Sequence, residues 1–360
     1  MRAAVFRRGE FVVDQVPDPV PAEGQVLVRT RACGICGTDL HAARFPAEFA
    51  ALSRRTGGRW TFSPERDVVF GHEFVAEVVA NGPGTEGRFR PGQLVTSMPL
   101  TIAGTTVQGL GYNPDIPGAY AEYMPLAERM LLPLPPGMDP DHAALVEPMA
   151  VGVHAVNLAR PTTEDVPLVI GCGPIGLAVI AALKLHGLGP VIAADFSPAR
   201  RALAQRMGAD IVVDPATASP YAALERAITP EGFDASRYAA LFGLGPRPRP
   251  SLLFECVGVP GVIQAMMEGA PANARIIVVG VSMETDRFEP FFGIVKHLGL
   301  QFVLAYTAAE FAETLGHIAA GRIDVAPLIT GRVGLEGVAQ AFRDLASPER
   351  HAKVLVEPWR

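Results

Sequence analysis

The 360-residue chain is 49% hydrophobic and 19% charged, with a formal charge of −6 at pH 7. That composition excludes a disordered segment and suits a folded protein of two domains rather than one. The 31 basic and 37 acidic side chains are spread without a basic stripe or an acidic tail, which excludes the usual footprints of nucleic-acid and anionic-membrane binders.

The opening stretch MRAAVFRRGE lacks the apolar core of a signal peptide. The longest apolar run, LVIGCGPIGLAVIAAL (168–183), is broken by three glycines and a proline and is too short to span a bilayer. A soluble, cytoplasmic protein is expected, with its four scattered cysteines serving as thiols or metal ligands rather than disulfides.

In chain order, the first 150 residues read as short strands separated by Gly and Pro: QVLVRTRA (25–32), EFVAEVVA (73–80), GQLVTSM (92–98) and AYAEYMPL (119–126). Such a run predicts a β-rich, barrel-like unit. Near residue 148 the pattern changes. PLVIG (167–171) reads as a buried strand and PIGLAVIAALKLHG (174–187) as a helix with Pro174 in its first turn. Then come PVIAAD (190–195), a helix from Pro198 to about Met207, DIVVD (210–214), SLLFECVG (251–258) and ARIIVVGV (274–281). Strands alternating with helices predict a doubly wound parallel sheet. LGPRPRPS (244–251) reads as a surface loop, and the terminal KVLVEP (353–358) as a strand returning to the first unit. The expected organisation is therefore a β-rich domain over 1–149 and 296–360, with an α/β nucleotide-binding domain over 150–295 inserted in it.

VIGCGPIG (169–176) supplies Gly171-x-Gly173-x-x-Gly176 directly between a strand and a helix. The first glycine permits the tight turn, the second lets backbone approach a pyrophosphate, and the third lets helix and strand pack closely. Phosphate charge then rests on the helix N-terminus, around Gly173, Pro174 and Ile175. Asp195 ends the next strand, 19 residues past Gly176, where a carboxylate bonds the ribose hydroxyls and repels a 2′-phosphate. NAD is expected over NADP. Arg200 and Arg201, on the following helix, are the nearby cations that temper this preference.

ACGICGTDLH (32–41) contains Cys33-x-x-Cys36, but no second Cys-x-x-Cys exists to complete a zinc knuckle. A thioredoxin-like pair belongs at a helix start within a βαβ unit, and this one lies in the β-rich part. What remains is one thiolate acting with other ligands: His72 and Glu73 in VFGHEFVAEV, and Glu147 in LVEPMAVGVHAV. One Cys, one His and one carboxylate leave a fourth tetrahedral position open, as a catalytic zinc requires.

GICGTDLH, FGHEF, GAYAEYM, EPMAVGVHA, VIGCGPIGLAVI and FECVG occur in the order found in the zinc-dependent medium-chain alcohol dehydrogenases, and the likeness covers essentially the whole chain. EPMAVGVHA most resembles the polyol (sorbitol-type) and secondary-alcohol branch. The resemblance implies a GroES-like catalytic domain carrying an inserted Rossmann domain. It makes Cys36 and His72 zinc ligands, with either Glu73 or Glu147 completing the protein set and the other one water away. Zn²⁺ with one thiolate and one carboxylate is neutral.

The resemblance further implies that Thr38 takes the alcohol proton, that His41 delivers it to solvent, and that Asp39 orients His72. Val257, Gly258, Gly280 and Val281 line the nicotinamide side. The family's structural zinc lobe is missing, since residues 74–171 contain no Cys, so one zinc per chain is expected. The interval from Cys36 to His72 is longer than usual; the extra segment (49–67), carrying Trp60 and Phe62, reads either as a lid or as a plain surface loop.

The expected reaction is hydride transfer between a secondary alcohol or polyol and NAD, in a homodimer or homotetramer. Candidate pocket loops lie at 42–66, 98–118 and near 290–306; TSMPLTIAGTTVQGLGYNPDIPG and FEPFFGIVKHLGL are fairly apolar, which suits a hydrophobic cyclic or aliphatic alcohol. The alternatives are a zinc-free quinone or enone reductase of the same fold and a non-catalytic dinucleotide-binding protein.

Overall fold

In the computed structural model, which describes residues 1–57, 62–103, 106–229 and 248–360, the chain divides into two compact units: Met1–Pro148 with Phe311–Arg360, and Met149–Glu310. The first is built from short strands because Gly and Pro interrupt every apolar run. β1 (Arg2–Arg7), β2 (Glu10–Gln15), β3 (Gln25–Gly34), β4 (Val68–Val69), β5 (Glu73–Asn81), β6 (Leu94–Ser97), β7 (Leu100–Ala103), β8 (Thr106–Gly109), β9 (Tyr123–Ala127) and β10 (Leu131–Pro133) precede the second unit in the chain.

β3 is the longest strand and the hub of this unit. β5 and β9 both pair with it antiparallel. In the register with β5, Gly34 faces Glu73 and Cys33 faces Phe74. The terminal strand β18 (Lys353–Val356) also pairs antiparallel with β3, Leu355 opposite Gly34, with β17 (Ile329–Val333) parallel beyond it. Three segments remote in sequence therefore meet at the end of β3.

Helices α1 (Gly37–Arg44) and α2 (Pro46–Arg55) fill part of the interval between β3 and β4. Phe62 is buried and its ring lies 5.4 Å from Phe49 and 6.0 Å from Phe70. Arg66 pairs with Asp115, and Arg7 with Asp67. The described part of the extra segment is thus anchored by an aromatic core rather than lying loose on the surface. Trp60 lies outside the described residues.

α3 (Pro140–Ala143) and α4 (Val146–Ala159) lead toward the second unit. There β11 (Val166–Ile170), β12 (Ile192–Ala194), β13 (Ile211–Val213), β14 (Ser251–Glu255), β15 (Arg275–Val278) and β16 (Gly299–Phe302) form one parallel sheet in the order β13-β12-β11-β14-β15-β16. α5 (Pro174–Leu185), α6 (Pro198–Arg206) and α7 (Pro220–Ile228) follow successive strands. The chain winds outward from β11 to β13, then returns to β14 on the other side of β11. The sheet's switch point, where ligands of such folds bind, is therefore at the carboxyl ends of β11 and β14. Leu168, Ile192, Leu253 and Ile276 form the middle of its core, with no exposed surface.

The nucleotide unit runs past the expected limit at residue 295. β16 pairs with β15, Ile276 opposite Leu300, and the compact unit extends to Glu310. β16 escapes sequence reading because it is an edge strand with mostly exposed residues, so GLQF carries no buried-strand pattern. Residues 244–247 of the expected LGPRPRPS loop lie outside the described residues. Among the described residues, no helix is long and apolar enough to cross a membrane.

Candidate functional site

The turn from β3 into α1 makes the thiol site. Cys36 is the N-cap of α1: its Sγ accepts from the Thr38 amide at 3.4 Å, and Asp39 Oδ2 accepts from the Cys36 amide at 3.1 Å. This is a capping box written Cys-x-x-Asp. It fixes the sulfur at the positive end of the helix, where a thiolate is favoured. Thr38 is inside the first turn and does not cap the helix.

His72 and Glu73 enter from the opposite side. Gly71 has φ +104°, and a Cβ there would lie 2.7 Å from the Tyr120 ring, so FGHEF requires glycine before the histidine. Glu73 opens β5 opposite Gly34, where any Cβ would overlap the Glu73 carboxylate. The carboxylate is completely buried and accepts from Lys353 Nζ at 2.6 and 2.8 Å; the same ammonium donates to the Ile35 carbonyl at 2.9 Å. Burial works against the charge on Lys353, but the carboxylate outweighs it and holds the ammonium's pKa above its usual range.

Cys36, His72 and Glu73 each offer a donor atom, all within 4.8 Å of one another, and among the described residues no other such group forms. Burial, then the charge of Glu73, pushes the Cys36 thiol pKa up. A half-buried thiol therefore meets a buried imidazole and a carboxylate whose charge Lys353 already offsets. His72 Nδ1 faces the Asp39 carboxylate, 3.3 Å from Oδ1. With Nδ1 facing Asp39, Nε2 is the ring nitrogen left for a metal. Sulfur, nitrogen and oxygen donors in one cluster fit zinc. Glu147, half-buried in the first turn of α4, is outside that group, although its charge reaches Lys353 and Tyr112.

Asp39 sits beside His72 as expected, but its hydrogen bonds go elsewhere. Tyr112 and Tyr120 donate to it at 2.6 and 2.7 Å, and all three side chains are buried. Thr38 and His41 are one turn apart on α1 and both half-buried. Burial, followed by the charge of Arg44, holds the His41 pKa below its ordinary 6.5, so this imidazole is neutral at pH 7.

In the second unit, Gly173 is the N-cap of α5 and Pro174 its first residue, followed by Ile175. A Cβ at Gly176 would overlap the Gly171 carbonyl, so helix and strand meet there only through glycine. Asp195 accepts from the Cys172 amide and from the Ser197 amide, each at 2.8 Å, which ties the glycine loop to the end of β12. A carboxylate has about four lone-pair sites, so capacity remains for ribose hydroxyls.

The Arg200 guanidinium stands beside Gly173, 3.9 Å from Asp195, with its Nε buried and without a hydrogen-bond partner. An unmatched donor at the mouth of the glycine loop fits a nucleotide's oxygens. Val257, Gly258, Gly280 and Val281 come together at the ends of β14 and β15: a Cβ on Gly258 would meet the Val281 backbone at 2.6 Å. Glu255 holds this junction by accepting from the Val257 and Gly258 amides at 2.8 Å each.

Lys353, Tyr112, Tyr120 and Glu255 are absent from the sequence-derived set. A lysine opening a terminal strand looks like a solvated end, and the tyrosines look like core. Only Glu255, an acid ending the apolar run SLLF, carries a local signal that it bonds something specific.

Residues 22–136 match the family described as the alcohol dehydrogenase GroES-like domain, and residues 174–320 that described as zinc-binding dehydrogenase. The chain is 30% identical to a (R,R)-butanediol dehydrogenase of Neisseria gonorrhoeae over 99% of both chains. It is 25% identical to a sorbitol dehydrogenase of Bacillus subtilis over 100% of this chain and 98% of that one. The crystal structure of 2R,3R-butanediol dehydrogenase from Bacillus subtilis superposes with a TM-score of 0.77 at 25% identity, covering 99% of each chain.

The buried pair supplies a test. In metal-stripped protein, Lys353→Met should cost about 3–5 kcal/mol, because it strands the Glu73 charge. The double variant Glu73→Gln/Lys353→Met should cost less than Lys353→Met alone. Denaturant unfolding measures both, and strictly additive losses would refute the pairing.

Proposed function

The chain belongs to the zinc-type medium-chain alcohol dehydrogenase family, and from that premise we propose that it interconverts a secondary alcohol with its ketone, using NAD. The observation that carries this reading is the convergence of Cys36, His72 and Glu73 on one buried point. Bound there, one zinc ion per chain supplies a Lewis acid that brings an alcohol's pKa toward neutrality. Cys36, His72 and Glu73 are the proposed protein ligands, with Glu147 a water away. Cys33, Cys172 and Cys256 stand outside the donor group, which supports a single zinc. The expected neutral count for the ion with one thiolate and one carboxylate omits Lys353, which offsets the Glu73 charge and leaves the surroundings more favourable to loss of a hydroxyl proton.

The chain's own residues then move that proton. The Thr38 hydroxyl accepts it while releasing its own, and His41, one helical turn further on and neutral at pH 7, takes up the relayed proton and passes it to water. Bound NAD would supply the hydride acceptor. Gly171, Gly173 and the α5 N-terminus hold its pyrophosphate, Asp195 and Arg200 its adenosine ribose, and the Val257–Gly258 and Gly280–Val281 junction its nicotinamide side. Asp195 supports NAD over NADP, because a 2′-phosphate would face an anion.

For the substrate we favour a vicinal diol of low polarity. The relatives named above act on butanediol and sorbitol, and the apolar character of 98–118 selects against a sugar-like chain. Four free cysteines suit a reducing compartment, which we take to be the cytoplasm. Exposed Phe291, Ile294, Phe302 and Leu304 suit self-association as a dimer or tetramer; a single-chain mass in sedimentation would refute it.

A panel of alcohols followed by NADH formation tests the reaction. Secondary alcohols should turn over with NAD well ahead of NADP, and Cys36→Ser should abolish oxidation while NADH still binds. Oxidation that survives Cys36→Ser would overturn the assignment. The oxidation rate should fall as pH drops below 6.5 through the lowered His41 pKa, because the protonated ring accepts nothing, and His41→Gln should remove that limb. An unchanged profile in His41→Gln would refute the relay.

A further inference from the structure

Asp39 has no exposed surface, and its carboxylate accepts from three donors. Oδ1 accepts from Tyr112, and Oδ2 accepts from Tyr120 and from the Cys36 amide. The two tyrosine bonds, at 2.6 and 2.7 Å, are in the range of charge-assisted O–H···O⁻ contacts, roughly twice as strong as neutral ones. The same carboxylate touches both halves of the metal cluster. Through the capping box it holds the Cys36 backbone, and Oδ1 faces His72 Nδ1 at 3.3 Å.

The tyrosines come from two directions. Tyr120 lies against Gly71, the residue before His72, where a Cβ would strike its ring. Tyr112 lies 5.4 Å from the His72 ring on one side and 5.0 Å from Phe49 on the other. Phe49 in turn packs on Phe62 at 5.4 Å. Both phenylalanines belong to the extra stretch between Cys36 and His72, and Phe49 is the ring against which Tyr112 is held.

We propose that Tyr112 and Tyr120 are positioning residues for the metal centre: their hydroxyls lock Asp39, and through it the Cys36 turn and the His72 ring, with Phe49, itself packed on Phe62, bracing Tyr112. This rests on the zinc reading above. Oδ1, which accepts from Tyr112, also faces His72 Nδ1 at 3.3 Å, so whatever holds the carboxylate holds the anion beside the imidazole. Loss of either hydroxyl frees one lone pair and one degree of motion in Asp39. The cost falls on the geometry of the sulfur and the imidazole, not on the packing, because the ring stays in place. Partners that orient a metal's ligands in this way are worth roughly 10–100-fold in metal affinity.

The test is cobalt and zinc binding by the full chain after chelator stripping, with Tyr112→Phe and Tyr120→Phe compared with the parent. Cobalt bound through Cys36 gives a thiolate-to-metal absorption band, which reports geometry independently of turnover. Each variant should bind zinc at least about tenfold more weakly and shift the cobalt spectrum, while NADH affinity, which reads the other unit, stays unchanged. If either variant folds poorly, its partner carries the same comparison. Variants that match the parent in affinity and spectrum would overturn the inference and leave the tyrosines as packing. A parent chain that takes up no cobalt would instead overturn the zinc reading, and this inference with it.

Discussion

The buried ion pair between Glu73 and Lys353 is the contact on which the rest of the first unit turns. Two opposite charges with almost no solvent exposure, 2.6 Å apart, are costly to bury and costly to separate, so they fix whatever they join. They join the first residue of β5 to the first residue of β18, across the tip of β3. The end of the chain is thereby locked beside the turn that carries Cys36. Gly34 is part of the same constraint, because only a residue without a side chain leaves room for the carboxylate.

Around that pair, local structure aims each donor. The Cys-x-x-Asp capping box turns the first helix so that its sulfur lies at the N-terminus. The left-handed Gly71 turns the chain so that His72 and Glu73 both reach the site although adjacent residues of a strand point to opposite faces. The nucleotide unit works by the same economy. Asp195 and Glu255 each hold backbone amides that shape loops at the ends of strands, and so protein groups alone define the sheet's switch point.

Much of this was readable from the sequence where function depends on local pattern. Glycine spacing after a strand gives the nucleotide loop, and alternation of strands with helices gives the parallel sheet. Cys36, His72 and Glu73 are identifiable by residue type. Long-range pairing is not readable. Nothing in KVLV says that Lys353 abandons solvent for Glu73, since that contact is set by a β-register 280 residues apart. Tyr112 and Tyr120 look like ordinary core until their hydroxyls are seen on one carboxylate. The same limit hid β16, whose exposed edge position erases the apolar signature. It also left the role of 49–67 open, because Phe62's burial follows from rings at Phe6, Phe49 and Phe70 rather than from its neighbours in sequence.

The central claim is that one thiolate, one imidazole and carboxylate oxygen hold a single metal ion in this fold. X-ray absorption at the zinc edge on the purified chain, with the metal content counted on the same sample, addresses it most directly. About one zinc per chain is expected, with one sulfur and otherwise nitrogen or oxygen neighbours at the distances of a four-coordinate site. A chain that retains no zinc, or a zinc surrounded by several sulfurs, would contradict it.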